Sequence, residues 1–251
     1  MTELLVRGSE AVADSKHLGY VGQDAHRTCW AWLTPESCQA RPGDRVEVPE
    51  ERLLQCPADV PVNRVLTLLG YWPAWRVTQW ARLEIGSGVL IVWSGTFAKQ
   101  VADLCRCRGA LWCGVWGASP VGANGEFWLP VSGERQPGEI LRALPRQPDS
   151  VLVLGGGVHE LMVAIAICRD LGTVVVAVPP GPALDLNFYP DVHRRGLTIR
   201  AGSPFEYGPG DAKAWNHAAR RINTLIGSGL LTPSHSVEAV TQLSQRCSRE
   251  I

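Results

Sequence analysis

The sequence lacks an excess of charge of either sign, and this absence excludes several kinds of partner. Lysine and arginine together number 24, and aspartate and glutamate also number 24, so the formal net charge is zero. Binding to nucleic acid or to an anionic membrane surface relies on a basic excess. We therefore expect neither partner, and a near-neutral surface of this kind favours self-association.

A long apolar run is also missing. The longest runs are the size of a strand, as at 174–178, whereas a helix that crosses a bilayer needs ~20 apolar residues. The opening residues, Met1 to Leu4, contain no basic stretch followed by an apolar one, and the chain is polar by Arg7. We therefore expect no signal peptide and no membrane span, and we predict a soluble cytoplasmic protein.

The eight cysteines include no C-x-x-C pair. Cys105 and Cys107 are two residues apart, a spacing that points them to different faces of a helix. This is a poor arrangement for zinc ligands, so a metal site at these positions is the less favoured alternative. Without a secretion signal the thiols are expected to be reduced and to serve as small buried apolar groups.

The residues that are present are sufficient for a folded core, since 45% are hydrophobic and 19% are charged. From residue 88 onward, short apolar strands alternate with helices and glycine-rich turns. Predicted strands lie at 89–92, 110–116, 127–131, 150–154, 173–178 and 195–200, and predicted helices at 96–108, 138–144, 158–171 and 211–226. This alternation predicts an α/β domain of Rossmann type, a parallel sheet covered by helices.

The first 60 residues have a different pattern, irregular or rich in β structure. A strand is predicted at 27–32, and Arg41-Pro42-Gly43-Asp44 is predicted to turn into a strand at 45–48. Apolar residues at helical spacing follow over 62–81. Pro73 is expected to interrupt this helix, because proline removes a backbone donor and clashes with the preceding turn.

The turn after the first strand of the α/β region is the expected phosphate site, because the N–H groups of a helix N-terminus point there. The usual pattern is G-x-G-x-x-G or G-x-G-x-x-A, and the chain has Trp93-Ser94-Gly95-Thr96-Phe97-Ala98. Gly95 keeps the middle glycine, where backbone approaches phosphate, and Ala98 is an accepted third residue. Trp93 replaces the first glycine, so dinucleotide binding and a purely structural turn both remain open.

A second mark of a dinucleotide site, an acid at the end of the next strand, is missing from 115–120. Ser119 is the polar alternative there, as a contact for a 2′-phosphate. Ligands of parallel sheets lie at the carboxyl ends of the strands. The predicted cofactor-binding residues are accordingly Ser94, Gly95, Thr96, Phe97, Ser119, Gly155 and Val178.

Several stretches, taken in order, resemble the medium-chain dehydrogenase/reductase superfamily, which contains the zinc-type alcohol and polyol dehydrogenases. The matching stretches are Arg41 to Val46, Gly88 to Val92 with Ala102 to Ala110, Leu171 to Val178, Leu184 to Asn187 and Arg195 to Ser203. Together they extend over roughly residues 40–235. The resemblance implies a GroES-like catalytic domain followed by a Rossmann domain.

The resemblance also implies where the chain departs from the family. A truncated GroES-like remnant is expected at 1–62, the nucleotide-binding domain at 63–210 and a C-terminal helical segment at 211–251. Tyr20 and Val21 stand where the family has a metal-binding histidine and its glutamate. The cysteine ligand and the structural zinc loop have no counterpart, so no zinc is expected, whereas NAD(P) is the cofactor that the resemblance suggests.

Three residues are predicted as catalytic candidates. Tyr20 and His26 fall where the family's active site opens and would move a proton without metal; irregular surface polarity is the alternative. His159 follows the turn that lies near the nicotinamide in the family, which suggests an acid/base role. The plainer alternative is a polar helix start, with Glu160 favourable to the helix dipole.

The sequence therefore leads to a zinc-independent, oxidoreductase-like enzyme that acts on a small molecule with NAD(P). A non-redox enzyme of lyase or cyclase type that has lost the dinucleotide site, or a non-catalytic subunit, remains open. Trp93 bears on the loss of the dinucleotide site. A tryptophan near this site either packs in the core, fills the volume that a dinucleotide would occupy or binds a flat ligand. A homodimer is expected through the strand near Leu197–Arg200.

Overall fold

A computed structural model describes residues 1–11, 17–35, 40–93, 96–117, 127–130, 136–177, 187–206 and 211–232. The chain divides into two compact units. The first contains 1–73 and 205–251, and the second contains 74–204. This division groups the C-terminal helix with the N-terminal strands, whereas the sequence analysis treats 211–251 as a segment of its own.

The first unit is built on an antiparallel sheet of five strands. They are β1 (Thr2–Ala11), β2 (His17–Gln23), β3 (Cys29–Pro35), β4 (Arg45–Val48) and β5 (Leu54–Gln55). The sheet order is β4-β1-β2-β3-β5. One face carries a small core that includes Leu4, Val6, Tyr20, Trp32 and Val48, because alternate residues of each strand point the same way.

The β-rich region expected from the sequence is thus a regular sheet. The predicted strand at 27–32 is β3, and the strand predicted after the Arg41–Asp44 turn is β4. Helix α1 (Val62–Trp80) follows the sheet and belongs to this unit as far as Pro73, and α5 (Asp211–Gly227) completes the unit. Within the unit, Trp215 of α5 packs edge-on against Trp72 and donates its indole N–H to the carbonyl of Gln55.

The expected interruption of the helix at Pro73 is wrong, since α1 is continuous through this residue. A proline inside a helix removes one backbone hydrogen bond and kinks the helix without ending it when packing on both sides is strong. Leu69 and Trp72 before it and Ala74 and Trp75 after it are all buried. Burial of these side chains outweighs the lost bond.

The second unit is built on a parallel sheet of six strands. They are β6 (Gly88–Val92), β7 (Trp112–Gly117), β8 (Phe127–Pro130), β9 (Ser150–Val153), β10 (Thr173–Val176) and β11 (Thr198–Ala201). The connecting helices are α2 (Thr96–Cys107), α3 (Pro137–Ala143) and α4 (Val158–Ile167). Every residue of β6, β7 and β9 is buried, as expected of strands covered on both faces. The predicted Rossmann-type α/β fold is confirmed.

Helix α4 ends four residues earlier than its apolar pattern predicts. Cys168 adopts an extended conformation at its C-terminus, and Leu171 has a left-handed φ of 62°. The guanidinium of Arg195 donates hydrogen bonds to the carbonyls of Ile165 and Cys168. These tertiary bonds satisfy the last carbonyls of the helix, so another helical turn is not needed.

Candidate functional site

The order of the parallel strands defines a crevice at one edge of the second unit. The order is β11-β10-β9-β6-β7-β8, so the chain runs outward from β6 to β8 and then returns to β9 on the other side of β6. Loops leaving β6 and β9 therefore diverge above and below the sheet. In open parallel sheets, ligands bind at this switch point, outside the carboxyl ends of the strands.

Helix α2 begins at this crevice, as the predicted phosphate loop requires. Thr96 is its first residue, and Ser94 and Gly95 lie outside the described residues. The side chain of Phe97 is only 3% exposed, so its ring belongs to the core. Free N–H groups of a helix start attract an anionic group such as phosphate.

Trp93 and Gly155 meet at the switch point itself. Trp93 directly follows β6, and Gly155 is in the turn after β9. A Cβ on Gly155 would lie 2.7 Å from Cδ2 of Trp93 and even closer to other atoms of the ring, so the indole rests on the glycine backbone. Trp93 is 37% exposed. Its ring therefore occupies part of the crevice, with one side open to solvent.

The turn after β9 leads into α4, whose N-terminus has its own acid. The carboxylate of Glu160 accepts a hydrogen bond of 2.7 Å from the backbone N–H of Gly157. Glu160 thus satisfies one of the free donors of this helix, so this helix start is less suited to an external anion than α2.

His159, a predicted catalytic residue, is half-buried in the first turn of α4. Its Nε2 atom is buried and has no hydrogen-bond partner within the described part of the chain. A buried ring nitrogen without a partner is uncommon and is a candidate contact for a ligand or water. Two further predicted residues, Ser119 and Val178, lie outside the described ranges.

Tyr20 is a buried residue, with only 1% of its surface exposed. Its ring stacks on that of Trp32, the residue directly opposite it on β3, and the ring centroids are 5.4 Å apart. Its hydroxyl oxygen accepts a 3.1 Å hydrogen bond from the backbone N–H of Ala40. The sequence alternative, that Tyr20 is part of an irregular surface, is therefore wrong. Tyr20 is a core residue whose polar tip is held in place.

A cavity of about 510 Å³ in the first unit includes Tyr20 in its lining. Residues of β3 and of β4 line it together, although these strands are not neighbours in the sheet. The sheet therefore curls so that its β4 side approaches β3. Its lining residues are Tyr20, Trp32, Leu33, Thr34, Ala40, Val46, Glu47, Val48, Pro49 and Arg52.

His26 is not in the lining of this cavity. It is exposed in the turn between β2 and β3, and its backbone N–H donates to Asp24 Oδ1. The same carboxylate accepts hydrogen bonds from the backbone N–H of Thr28 and from the indole N–H of Trp30. The Trp30 bond is the main cause that lowers the pKa of Asp24 below 3.8. This turn is a structural cap, and it does not bring His26 to Tyr20's cavity.

Arg52 and Glu47 are residues of the cavity that the sequence analysis did not single out. Both side chains are charged and exposed. Arg52 is in the short helical turn Glu50–Arg52, and Glu47 is in β4. Neither residue belongs to a motif. The only indication in the sequence is that apolar and charged residues alternate along β4, which places Val46 and Val48 on the inner face of the sheet. The cavity depends on the curl of the sheet, which no local pattern encodes.

Comparison with solved structures places this geometry among dehydrogenases. Galactitol-1-phosphate dehydrogenase from Escherichia coli matches with a TM-score of 0.66 at 15% identity, over 93% of this chain and 83% of that one. A short chain alcohol dehydrogenase from E. coli CFT073, complexed with NADH, matches with a TM-score of 0.66 at 10% identity, over 98% and 87%. A scan of protein-family models and a search of curated proteins find no match.

The chain shares its fold with these dehydrogenases. The resemblance seen in the sequence is thereby supported at the level of fold. Alcohol dehydrogenase TADH from Thermus sp. ATN1 matches with a TM-score of 0.59 at 19% identity, over 75% of this chain but only 54% of that one. The chain thus spans about half the length of this neighbour.

Two further observations bear on cofactors and membranes. Among the described residues, no group of three or more histidine, cysteine, aspartate or glutamate side chains is arranged to hold a metal ion. Within the same ranges, no helix is both long and apolar enough to cross a membrane.

Proposed function

We propose that this chain is a zinc-independent, oxidoreductase-like enzyme that acts on a small molecule with a nicotinamide dinucleotide. The observation that carries the proposal is the reversal of strand order between β6 and β9, with the start of α2 directly at the reversal. This is the arrangement in which a pyrophosphate is bound by a helix N-terminus. The NADH complex of the E. coli alcohol dehydrogenase is a neighbour in fold.

We propose that this edge of the sheet binds the dinucleotide, and one side chain limits the space for it. The residues that we propose to hold the pyrophosphate are Ser94, Gly95, Thr96 and Phe97, at the start of α2. The rest of the dinucleotide would contact three residues that follow β7, β9 and β10 in sequence, which are Ser119, Gly155 and Val178. When bound, the nicotinamide supplies a hydride acceptor or donor. Trp93 covers part of the crevice, so we expect binding to be weak and accompanied by movement of the indole.

Proton transfer is the chemistry that the chain's own residues would supply. His159 is our candidate in the second unit, because its buried Nε2 has no partner within the described ranges. Tyr20 is the candidate in the first unit, where it is one of the residues that line the cavity and its hydroxyl accepts a hydrogen bond from Ala40. His26 is a weaker candidate, since it is exposed in a structural turn.

A small molecule is the proposed substrate, and the cavity of the first unit is the proposed place for part of it. A volume of about 510 Å³ lies within the range of small-molecule sites. Aromatic and aliphatic side chains line most of it, and the charged groups of Glu47 and Arg52 are the polar points that would orient a ligand.

We also propose a homodimer in the cytoplasm. Strand β11 is at the end of the six-stranded sheet, and its residues are only partly buried. An edge strand presents unpaired N–H and C=O groups that a second copy can pair with. A molar mass of one chain by light scattering at micromolar concentration would count against this arrangement.

The second candidate is a non-redox enzyme of lyase or cyclase type on the same fold, or a non-catalytic subunit. The contact between Trp93 and Gly155 is the specific observation that favours it, because an indole that stays in the crevice leaves less room for a dinucleotide. On this reading the fold is retained and the redox chemistry is lost.

Titration with NADH and with NADPH separates the two candidates. Trp93 is at the proposed site, so binding should quench tryptophan emission and give energy transfer to the reduced nicotinamide. No saturable change up to millimolar concentration would reject the redox proposal. Saturable binding without turnover of any alcohol, aldehyde or enone would favour a regulatory or structural role for the cofactor.

The catalytic role of Tyr20 has a separate test. Tyr20→Phe keeps the stacked ring and removes the hydroxyl, so we expect activity to fall strongly while the melting temperature changes little, since one neutral hydrogen bond contributes only about 1 kcal/mol. His159→Ala and His26→Ala test the other two candidates in the same assay. Full activity in Tyr20→Phe would show that the residue is structural.

A further inference from the structure

Two cysteines of the first unit, Cys29 and Cys56, face each other across the pairing of β3 and β5. Trp30 is paired with Gln55, and Ala31 with Leu54. Continuing this register by one step pairs Cys29 with Cys56. The backbone confirms the step, because the N–H of Cys56 donates a 3.0 Å hydrogen bond to the carbonyl of Cys29.

Directly opposed residues of an antiparallel pair point their side chains to the same face. Their Cα atoms are typically about 4.5–5.5 Å apart, and disulfides usually join Cα atoms about 4.4–6.8 Å apart. A bond between the two sulfurs therefore requires side-chain rotation and little backbone movement. The two side chains are also close enough for Cys56 to lower the pKa of Cys29.

We propose that Cys29 and Cys56 form an oxidisable dithiol, a modification site that takes oxidants of the disulfide class such as glutathione disulfide. Oxidation joins β3 to the segment that follows β5 through a cross-strand disulfide.

The two thiols differ in a way that assigns their order of reaction. The hydrogen bond from Cys56 lowers the pKa of Cys29, and the same bond, together with burial, raises the pKa of Cys56. Cys29 is half-buried, whereas Cys56 is buried. The thiolate is the attacking species in thiol–disulfide exchange. Cys29 is therefore the nucleophile that meets the external oxidant, and Cys56 is the resolving thiol.

The reaction balances with one glutathione disulfide. The Cys29 thiolate attacks one sulfur of the oxidant, which forms a mixed disulfide at Cys29 and releases one glutathione. Cys56 then loses its proton and attacks the Cys29 sulfur, which forms the Cys29–Cys56 bond and releases the second glutathione. The protein loses two electrons and two protons, and the glutathione disulfide gains them.

The bond would fix a short element that the first unit depends on. Strand β5 has only two residues, and the carbonyl of Gln55, adjacent to Cys56, accepts the indole N–H of Trp215 from α5. Linking Cys56 to β3 restricts the unfolded chain and holds this anchor in place. The oxidised protein should therefore melt at a higher temperature than the reduced protein.

The experiment exposes the full chain, in native buffer, to mixtures of reduced and oxidised glutathione, followed by alkylation, intact mass measurement and peptide mapping. We expect oxidation to remove two of the eight thiols and to produce a Cys29–Cys56 cross-linked peptide. Cys56→Ser should stop at a glutathione adduct on Cys29, and Cys29→Ser should give no cross-link. Cys107→Ser, a change at another half-buried cysteine, should leave the cross-link unchanged.

Two results would overturn the proposal. One is a native wild-type chain in which Cys29 and Cys56 stay reduced while other cysteines become glutathionylated. The other is a cross-link that appears only after the chain is denatured. Neither outcome depends on the binding of a dinucleotide, so failure of the proposed function leaves this test intact.

Discussion

The indole of Trp93 rests on the backbone of Gly155, where the loops that leave β6 and β9 diverge. This contact joins the residue that replaces the first glycine of the phosphate loop with a glycine of the turn after β9. Any side chain at position 155 would collide with the ring. Trp93 and Gly155 fit each other, so the crevice is organised around an aromatic ring.

Replacement of Trp93 by glycine tests what this ring does. Trp93→Gly restores the G-x-G-x-x-A pattern and empties the crevice, so we expect NADH to bind at least about tenfold more tightly, which is ~1.4 kcal/mol. Calorimetry measures the affinity without relying on the removed fluorophore. Trp112→Phe is the control, because Trp112 is at the opposite end of the sheet, against Gly88. Unchanged or weaker binding would show that Trp93 is part of the ligand platform.

The strands of the second unit could be predicted because they are buried on both faces and so form continuous apolar runs. Val89 to Val92 is such a run, with turn residues on each side. Boundaries set by tertiary contacts could not be predicted in this way. Helix α4 ends at Ile167 because Arg195 bonds to its last carbonyls, and the local sequence contains no sign of that partner.

The candidate site was predictable only in part, for a related reason. The phosphate loop is contiguous in sequence, so its altered pattern is visible at Trp93. The contact of Trp93 with Gly155 joins distant positions and needs the strand order. Tyr20 stacks on Trp32 and accepts a hydrogen bond from Ala40, and both contacts depend on how distant segments are brought together. The sequence singled out Tyr20 by resemblance but did not indicate that it is buried.

Asp149 is predicted to be a main stabiliser of the second unit. Its carboxylate accepts a 2.6 Å hydrogen bond from the N–H of Gly88 and forms ion pairs with Arg146 and Arg169. It thus ties the amino ends of β6 and β9 to the turn after α4. Hydrogen bonds to charged groups contribute more than neutral ones, so Asp149→Ala should lower the free energy of unfolding by about 2–4 kcal/mol.

Denaturant unfolding of Asp149→Ala beside Asp170→Ala checks this expectation. Asp170 also pairs with an arginine, Arg195, but its side chain is 75% exposed. Exposed pairs of this kind contribute ~0–1 kcal/mol, so the control should remain close to wild type. Equal losses in the two variants would mean that the network around Asp149 does not hold the strand ends.

Cys168 should be inert in the native protein. Burial raises the pKa of its thiol to about 12, an effect that the nearby Arg195 and Arg169 only partly oppose. A thiol with this pKa remains protonated at pH 8, and alkylation requires the thiolate. Iodoacetamide at pH 8 should therefore modify Cys168 only after unfolding, as followed by peptide mass. Native labelling of Cys168 as fast as that of Cys29 would contradict the assignment.

Asp24 makes stability depend on pH in the acid range. Its pKa is lowered, first by the hydrogen bond from the Trp30 indole. A carboxylate with a lowered pKa in the folded state stabilises the fold fully above its unfolded value, near 3.8. This contribution is lost as pH falls through the folded pKa, because protonation then costs the native state its bonds. Wild type should therefore be more stable than Asp24→Ala at pH 7, and the difference should shrink below about pH 4.

The measurement is urea unfolding of both proteins between pH 7 and pH 3, with Glu51→Gln as an exposed carboxylate control. The difference between wild type and Asp24→Ala should stay constant from pH 7 to about pH 4 and fall below it, because the carboxylate takes up protons there. The control should show no such step. A difference that persists unchanged at pH 3 would mean that the contribution of the Asp24 side chain does not depend on its charge. No difference at pH 7 would mean that the turn from Asp24 to Thr28 is held by its backbone bonds alone, the Asp24–Thr28 and Arg27–Asp24 pairs.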